Sequence, residues 1–161
     1  MTQSFSTDQV TIIELPDIPV AVMTHRGPHE GMAETIRRFI AWRRAASLPP
    51  KVSTTWNIFQ TPPDIDPPEA FRLDLCAGTE RPIAPNDQGV TAGVIPGGRC
   101  AALRVVGNAE DLEPAALFLY RDWLPGSGEE PRDAPPFCRR VSFFPDVPAH
   151  EAVTMLYLPL R

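Results

Sequence analysis

An internal repeat limits what this chain can fold into. Displaced by eighty residues, Val10-Thr11 falls on Val90-Thr91, Leu15-Pro16 on Ile95-Pro96, Ala21 on Ala101, Gly27 on Gly107 and Glu30 on Glu110. A segment used twice builds one supersecondary unit twice, and two such units pack about a pseudo-twofold axis with a groove between them. The repeats cover approximately residues 10–80 and 89–161 of a single domain, 1–161. Function is expected in the groove.

Within the first repeat, Val10 to Leu15 and Pro19 to Arg26 are apolar, β-branched runs joined through Pro16-Asp17, which predicts two strands in a tight connection. Glu30 to Ala46 carries Met32, Ile36, Phe39, Ile40 and Trp42 at helical spacing. Its acids, Glu30 and Glu34, stand near the positive end of the helix dipole, and Arg37, Arg38, Arg43 and Arg44 are expected to form a solvated face. Pro49-Pro50 stops the helix, Thr54 to Gln60 reads as a third strand, and Phe71, Leu73 and Leu75 alternate with Arg72, Asp74 and Cys76 as a fourth.

The second repeat follows the same order. Gly89 to Ile95 and Arg99 to Val106 flank the turn residues Pro96-Gly97-Gly98. Asp111 is placed to cap a helix with Pro114 in its first turn and Ala116, Leu119, Tyr120 and Trp123 as its buried stripe, ending at Leu124-Pro125-Gly126. Phe137 to Phe144 and Ala152 to Leu158 supply the last strands. The fold class is α+β: a duplicated β-β-α-β-β unit with mainly antiparallel sheets. Prolines cluster in 62–68, 82–85 and 125–136, which predicts ordered loops between elements.

Composition narrows the function. With 161 residues and 43% hydrophobic content, the chain can bury one core. It has no long uncharged apolar run and no basic-then-apolar start, so neither a membrane span nor a signal peptide is expected and a cytoplasmic location is. Cys76, Cys100 and Cys138 are widely spaced and odd in number, which argues for thiols rather than disulfides or a zinc site. The three histidines form neither HxxxH nor HExxH, so no metal and no cofactor is expected. A net charge of -5 argues against direct nucleic-acid binding.

The order of Pro19-Val20-Ala21, Arg26-Gly27-Pro28, Trp42, Arg72-Leu73-Asp74, Gly89-Val90, Pro96-Gly97-Gly98-Arg99, Val106-Gly107 and Phe137 resembles the GyrI-like family of DNA gyrase inhibitors and AraC-type effector-binding domains. The resemblance implies a concave small-molecule site. In multidrug-responsive regulators the module is fused to a helix-turn-helix domain, for which no residues remain here, so a free-standing module is implied. Some relatives resemble hydrolases of electrophilic, cyclopropane-containing toxins.

The family's Phe-Glu-x-Tyr strand reads Phe137-Cys138-Arg139-Arg140 in this chain. Loss of the glutamate removes the implied partner for a buried cation and the obvious general base, so no catalytic residue is assigned and an enzyme is the less favoured reading. Asp74 or Glu14 is the acid that would take its place. Cys138 is read as a packing thiol ahead of a nucleophile, and His25 as a structural imidazole ahead of a base. Asp74 with Arg72, two residues away on the same strand face, is read as a structural ion pair or turn contact ahead of a ligand anchor. Arg140, where the family has tyrosine, suits an anionic ligand. The predicted ligand-binding set is Met23, His25, Trp56, Phe118, Trp123, Phe137, Cys138, Arg140 and Tyr157. The expected function is binding of a hydrophobic or aromatic small molecule, which the protein senses or sequesters. DNA gyrase inhibition by protein contact and hydrolysis of electrophilic small molecules are the alternatives.

Overall fold

The structure, a computed structural model, describes residues 4–108 and 112–161. The elements are β1 (Thr11–Leu15), β2 (Ile18–Arg26), α1 (Met32–Ala45), β3 (Thr55–Phe59), β4 (Arg72–Gly78), β5 (Thr91–Ile95), β6 (Gly98–Val106), α2 (Leu112–Phe118), α3 (Leu124–Ser127), β7 (Phe137–Ser142) and β8 (Val153–Pro159). The class is α+β with antiparallel pairing inside each of two compact units. One unit is Asp17–Pro96; the other comprises the described residues of Met1–Pro16 and Gly97–Arg161.

The connection from β1 to β2 is as tight as the sequence suggests, but the two strands it joins take other pairing partners. β1 pairs with β6, setting Ile13 opposite Cys100, while β5 pairs with β2, setting Ala21 opposite Ala92. Pro16 and Pro96 explain the difference. Proline fixes its own φ and lacks an N–H, so each of these short connections carries the chain onward instead of closing a two-residue hairpin. Each unit thereby contains one strand from the other repeat.

In the unit Asp17–Pro96 the strand order is β3-β4-β2-β5. Alternation puts Ala21 and Met23 on the same face as Leu73, Leu75 and Ala77, and this face forms a core with Phe39, Phe71 and Val90, against which Met32 and Trp42 of α1 pack. Each large apolar side chain buried here contributes roughly 1.5–3 kcal/mol.

The helix sits differently on its core from its apolar pattern. Phe39 and Arg43, one turn apart, are its buried residues, while Ile36 and Ile40 are 41% and 49% exposed. Arg43 is therefore not part of a solvated face. Its Nε donates to the Leu48 carbonyl (2.8 Å), Nη1 to Thr55 Oγ1 (2.7 Å) and Nη2 to the Ser53 carbonyl (2.9 Å). Burial lowers its pKa to about 10, so it stays charged at neutral pH. A charged group at this depth is tolerated because neutral acceptors fill its fork and because it lies in the last turn, at the negative end of the helix dipole.

In the other unit the order is β7-β8-β6-β1. Ala101, Leu103 and Val105 of β6 lie opposite Leu158, Leu156 and Thr154 of β8, all buried, and α2 lies against both strands. The expected cap Asp111 lies outside the described residues. Beyond α2 a π-helical turn covers Leu119–Trp123, and α3 continues to Ser127. The helical path thus passes the expected stop, because Pro125 sits in the first turn of α3, where its missing N–H removes no intrahelical bond. Gly128, at φ 76°, ends it in the left-handed conformation. The buried stripe is Leu112, Ala115, Phe118, Leu119 and Trp123, while Tyr120 is 40% exposed and Ala116 half-buried. Arg99 of β6 holds both carboxylate oxygens of Glu129 (2.8 and 3.2 Å), fixing the segment that follows α3.

Replacing Arg43 by Met keeps the apolar stem and takes the donor from two buried carbonyls and one half-buried hydroxyl. Urea denaturation of Arg43→Met is expected to show a loss of about 2–4 kcal/mol. Arg43→Lys should recover less than half, since an ammonium cannot span three acceptors in a plane. Wild-type stability in both variants would show the clamp to be idle.

Candidate functional site

In the unit Asp17–Pro96, the strand parity that sends Ala21, Met23 and Leu75 toward α1 sends Val22, Thr24, Asp74, Cys76, Trp56 and Ile58 to the opposite face. Trp56 lies directly across from Cys76, and Asp74 lies across from both Thr24 and Ile58. Trp56 is 5% exposed, and its indole Nε1 donates to Thr54 Oγ1 at 2.7 Å.

Asp74 is 7% exposed. Its Oδ1 accepts from the Thr24 hydroxyl (2.6 Å) and its Oδ2 from the Gln60 amide (2.8 Å). The Arg72–Asp74 ion pair expected from spacing does not form: Arg72 is exposed, and among the described residues Asp74 has neutral donors only. Thr24 and Gln60 are partners of Asp74 that sequence reasoning missed. For Thr24 the signal was present, because it alternates with Met23 and His25 just as Asp74 alternates with Leu73 and Leu75.

Met23 and His25 are placed in and beside the α1-backed core, away from the face that holds Trp56. His25 is held by Thr35 Oγ1 at Nδ1 (2.7 Å) and by the Gly27 and Pro28 carbonyls at Nε2 (3.1 and 3.0 Å). Carbonyls only accept, so Nε2 carries a proton and ties the turn after β2 to α1. This is the structural role that the sequence favoured.

In the other unit, Phe137 of β7 and Tyr157 of β8 stand opposite each other with rings stacked at 5.1 Å, and Ala102 and Cys100 continue the same face on β6. Burial pushes the Tyr157 phenol pKa up, partly offset by Arg139, which shares this face. The Cys100 thiol is likewise raised by burial and pulled back by Arg132. Cys138 and Arg140 point to the other side of β7, and Arg140 adjoins a bulge between itself and Ser142. Cys138 is wholly enclosed, the setting of a packing thiol rather than a reactive one. Phe118 packs against Phe5 (5.7 Å), and Trp123 is buried in the π turn. Of the nine predicted residues, the structure brings Phe137 and Tyr157 into contact. It separates them by parity from Cys138 and Arg140, and it separates Trp56 likewise from Met23 and His25.

A distinct cavity of about 330 Å³ opens beside the β3–β4 connection, with His29 stacked on Phe71 at 4.1 Å and Glu30, Asp64 and Asp66 at its walls. These acids are exposed, so the cavity is a wet notch rather than an apolar ligand seat. Among the described residues no cluster of His, Cys, Asp and Glu could hold a metal, and no helix is long and apolar enough to cross a membrane.

The family model described as GyrI-like small molecule binding domain matches residues 8–161. The chain belongs to the GyrI-like family. This GyrI-like chain is 37% identical to Probable transcriptional regulator YgiV of Escherichia coli strain K12 over 155 residues, covering 96% of this chain and 97% of YgiV. Among solved structures it resembles the crystal structure of the EcmrR C-terminal domain, with a TM-score of 0.74 and 14% identity over 95% of this chain and 97% of that one. In the EcmrR–DNA complex the match has a TM-score of 0.75, again at 14% identity and over 95% of this chain, but spans 57% of EcmrR. SAV2435 bound to tetraphenylphosphonium gives a TM-score of 0.60 at 10% identity, over 94% and 93% of the two chains.

Trp56 depends on a close approach. A Cβ on Gly78 would run into Thr54 Oγ1, the acceptor of the indole. Gly78→Ala is expected to shift Trp56 fluorescence in a Trp42→Phe, Trp123→Phe background and to lower stability by about 1–3 kcal/mol. Unchanged emission and stability would show that Trp56 does not need this support.

Proposed function

We propose that this GyrI-like chain binds a hydrophobic, aromatic-compatible small molecule on the aromatic faces of its sheets, and senses or sequesters it. The stacked Phe137–Tyr157 pair beside small Ala102 and Cys100 carries the reading, because large rings next to small side chains suit a flat apolar ligand. The family description supports it, as does SAV2435, a fold neighbour bound to a ligand made of phenyl rings. A regulatory role of the kind carried in the name YgiV would place the chain in the cytoplasm.

The finer architectural reading is that the two units descend from one duplicated β-β-α-β-β segment. Its support is that β3-β4-β2-β5 and β7-β8-β6-β1 are the same order, each strand advanced by four places in a cycle of eight.

The test is a thermal-shift series with tetraphenylphosphonium, neutral triphenylphosphine oxide and anionic tetraphenylborate, since a ligand of the native state raises the midpoint by mass action. At a hundredfold excess over Kd the stabilisation is about 2.7 kcal/mol. Phe137→Leu keeps bulk and removes a ring, so affinity for the bound compound should fall roughly threefold to tenfold. No shift with any of the three would sink the reading.

A further inference from the structure

We infer that two copies of this chain associate through β5, strand edge to strand edge, about a twofold axis at Gly93. β5 is the last strand of β3-β4-β2-β5, and among the described residues it pairs with β2 alone. An outermost strand leaves half of its backbone N–H and C=O groups to water or to another strand. Proteins that stay single guard such edges with charge, proline or a bulge. Thr91-Ala92-Gly93-Val94-Ile95 contains no charge and no proline, and its register to β2 runs without a shift. The contrast with β1 is specific. Displaced by eighty residues, Glu14 of β1, charged and exposed, falls on Val94, which is 56% exposed. The charge that guards one strand is an apolar side chain on its counterpart.

A second copy suits this edge because β5 is complementary to itself. In an antiparallel pair with Gly93 opposite Gly93, all five residues of both strands are used, and Ala92 of each copy lies opposite Val94 of the other. The two valines are then diagonal neighbours about 7–8 Å apart, so the four side chains make one apolar patch on the face that carries Ala21. Charge favours the same orientation. Arg38 of α1 donates to the Gln88 side chain and carbonyl (both 3.3 Å) just before β5, while Asp17 precedes Ile18, the residue opposite Ile95 at the far end of the strand. Both charges are exposed. Antiparallel packing brings the arginine end of each copy to the aspartate end of the other, whereas a parallel pair would bring like ends together. An isologous contact of this kind closes at two chains instead of growing into a filament. A five-residue edge is a small interface, so the dimer is weak and forms with rising concentration.

Sedimentation velocity of the whole chain from about 1 μM to about 1 mM spans the Kd range of small interfaces, and the mass is expected to rise from one chain toward two. Hydrogen exchange at the two ends of that range should show residues 91–95 gaining protection at the higher concentration. Val94→Lys, at an exposed position, sets like charges across the axis and should weaken association roughly tenfold or more while the thermal midpoint of the dilute monomer stays unchanged. Arg38→Asp should weaken association severalfold, and adding Asp17→Arg, which restores the net charge, should recover most of the loss. A one-chain mass over the whole range overturns the inference. So does a dimer that Val94→Lys leaves intact, one that forms without added protection at residues 91–95, or a loss in Arg38→Asp that Asp17→Arg leaves unrecovered. Small-molecule binding stands whichever result is obtained.

Discussion

Two nine-residue strands, β2 and β6, each pair on both edges, and the location of every candidate residue follows from their register. Side chains alternate strictly along a strand, so a slip of one residue would exchange the two faces of a sheet. The β2–β4 register puts Thr24 opposite Asp74 and thereby makes their hydrogen bond; it also assigns Met23 and His25 to the side of α1. The β7–β8 register does the same for Phe137 and Tyr157, and sends Cys138 and Arg140 the other way. What the molecule offers a ligand is decided by backbone pairing before any side chain is considered.

Against that backbone, three buried polar side chains of the unit Asp17–Pro96 do different work. Arg43 gathers the chain after α1 through two carbonyls and a hydroxyl, and His25 binds the turn after β2 to Thr35 on α1. Each satisfies backbone groups that would otherwise be stranded in the interior, which is a structural purpose complete in itself. Asp74 differs. Among the described residues its carboxylate holds no backbone N–H, and the two side chains it engages, a threonine and a glutamine, could both be satisfied by water. It ties β2 and the residue after β3 to β4 through side chains alone.

Much of this was legible in the sequence. The repeat, the alternating apolar strands and the helix over residues 30–46 locate the elements to within a few residues, because periodicity reports local geometry directly. Pairing partners were less legible. Nothing local in Thr91 to Ile95 says that it will lie beside β2 instead of β6, since both neighbours present similar apolar edges and only the proline connections favour separation. Helix rotation was misread at Ile36 and Ile40, because apolar spacing cannot foresee that Arg43 will be drawn inward by carbonyls of a loop that follows it. The candidate set combined residues of opposite parity, Phe137 with Cys138 and Trp56 with Met23; these belong together only if spacing along the chain is read without sheet faces.

Arg139, in the other unit, stands in contrast to Asp74. It shares the face of Phe137 and Tyr157 and carries a positive charge, so electrostatics on that face alone would favour an anion. Exposure decides between the two groups. Arg139 is exposed, where a charge is screened within about 8–10 Å at ordinary salt. Asp74 acts from an interior in which the effective dielectric constant is several times lower, and its orientation is already fixed by Thr24 and Gln60. Of the two charges, the carboxylate is the one whose surroundings and orientation the fold fixes within its own unit.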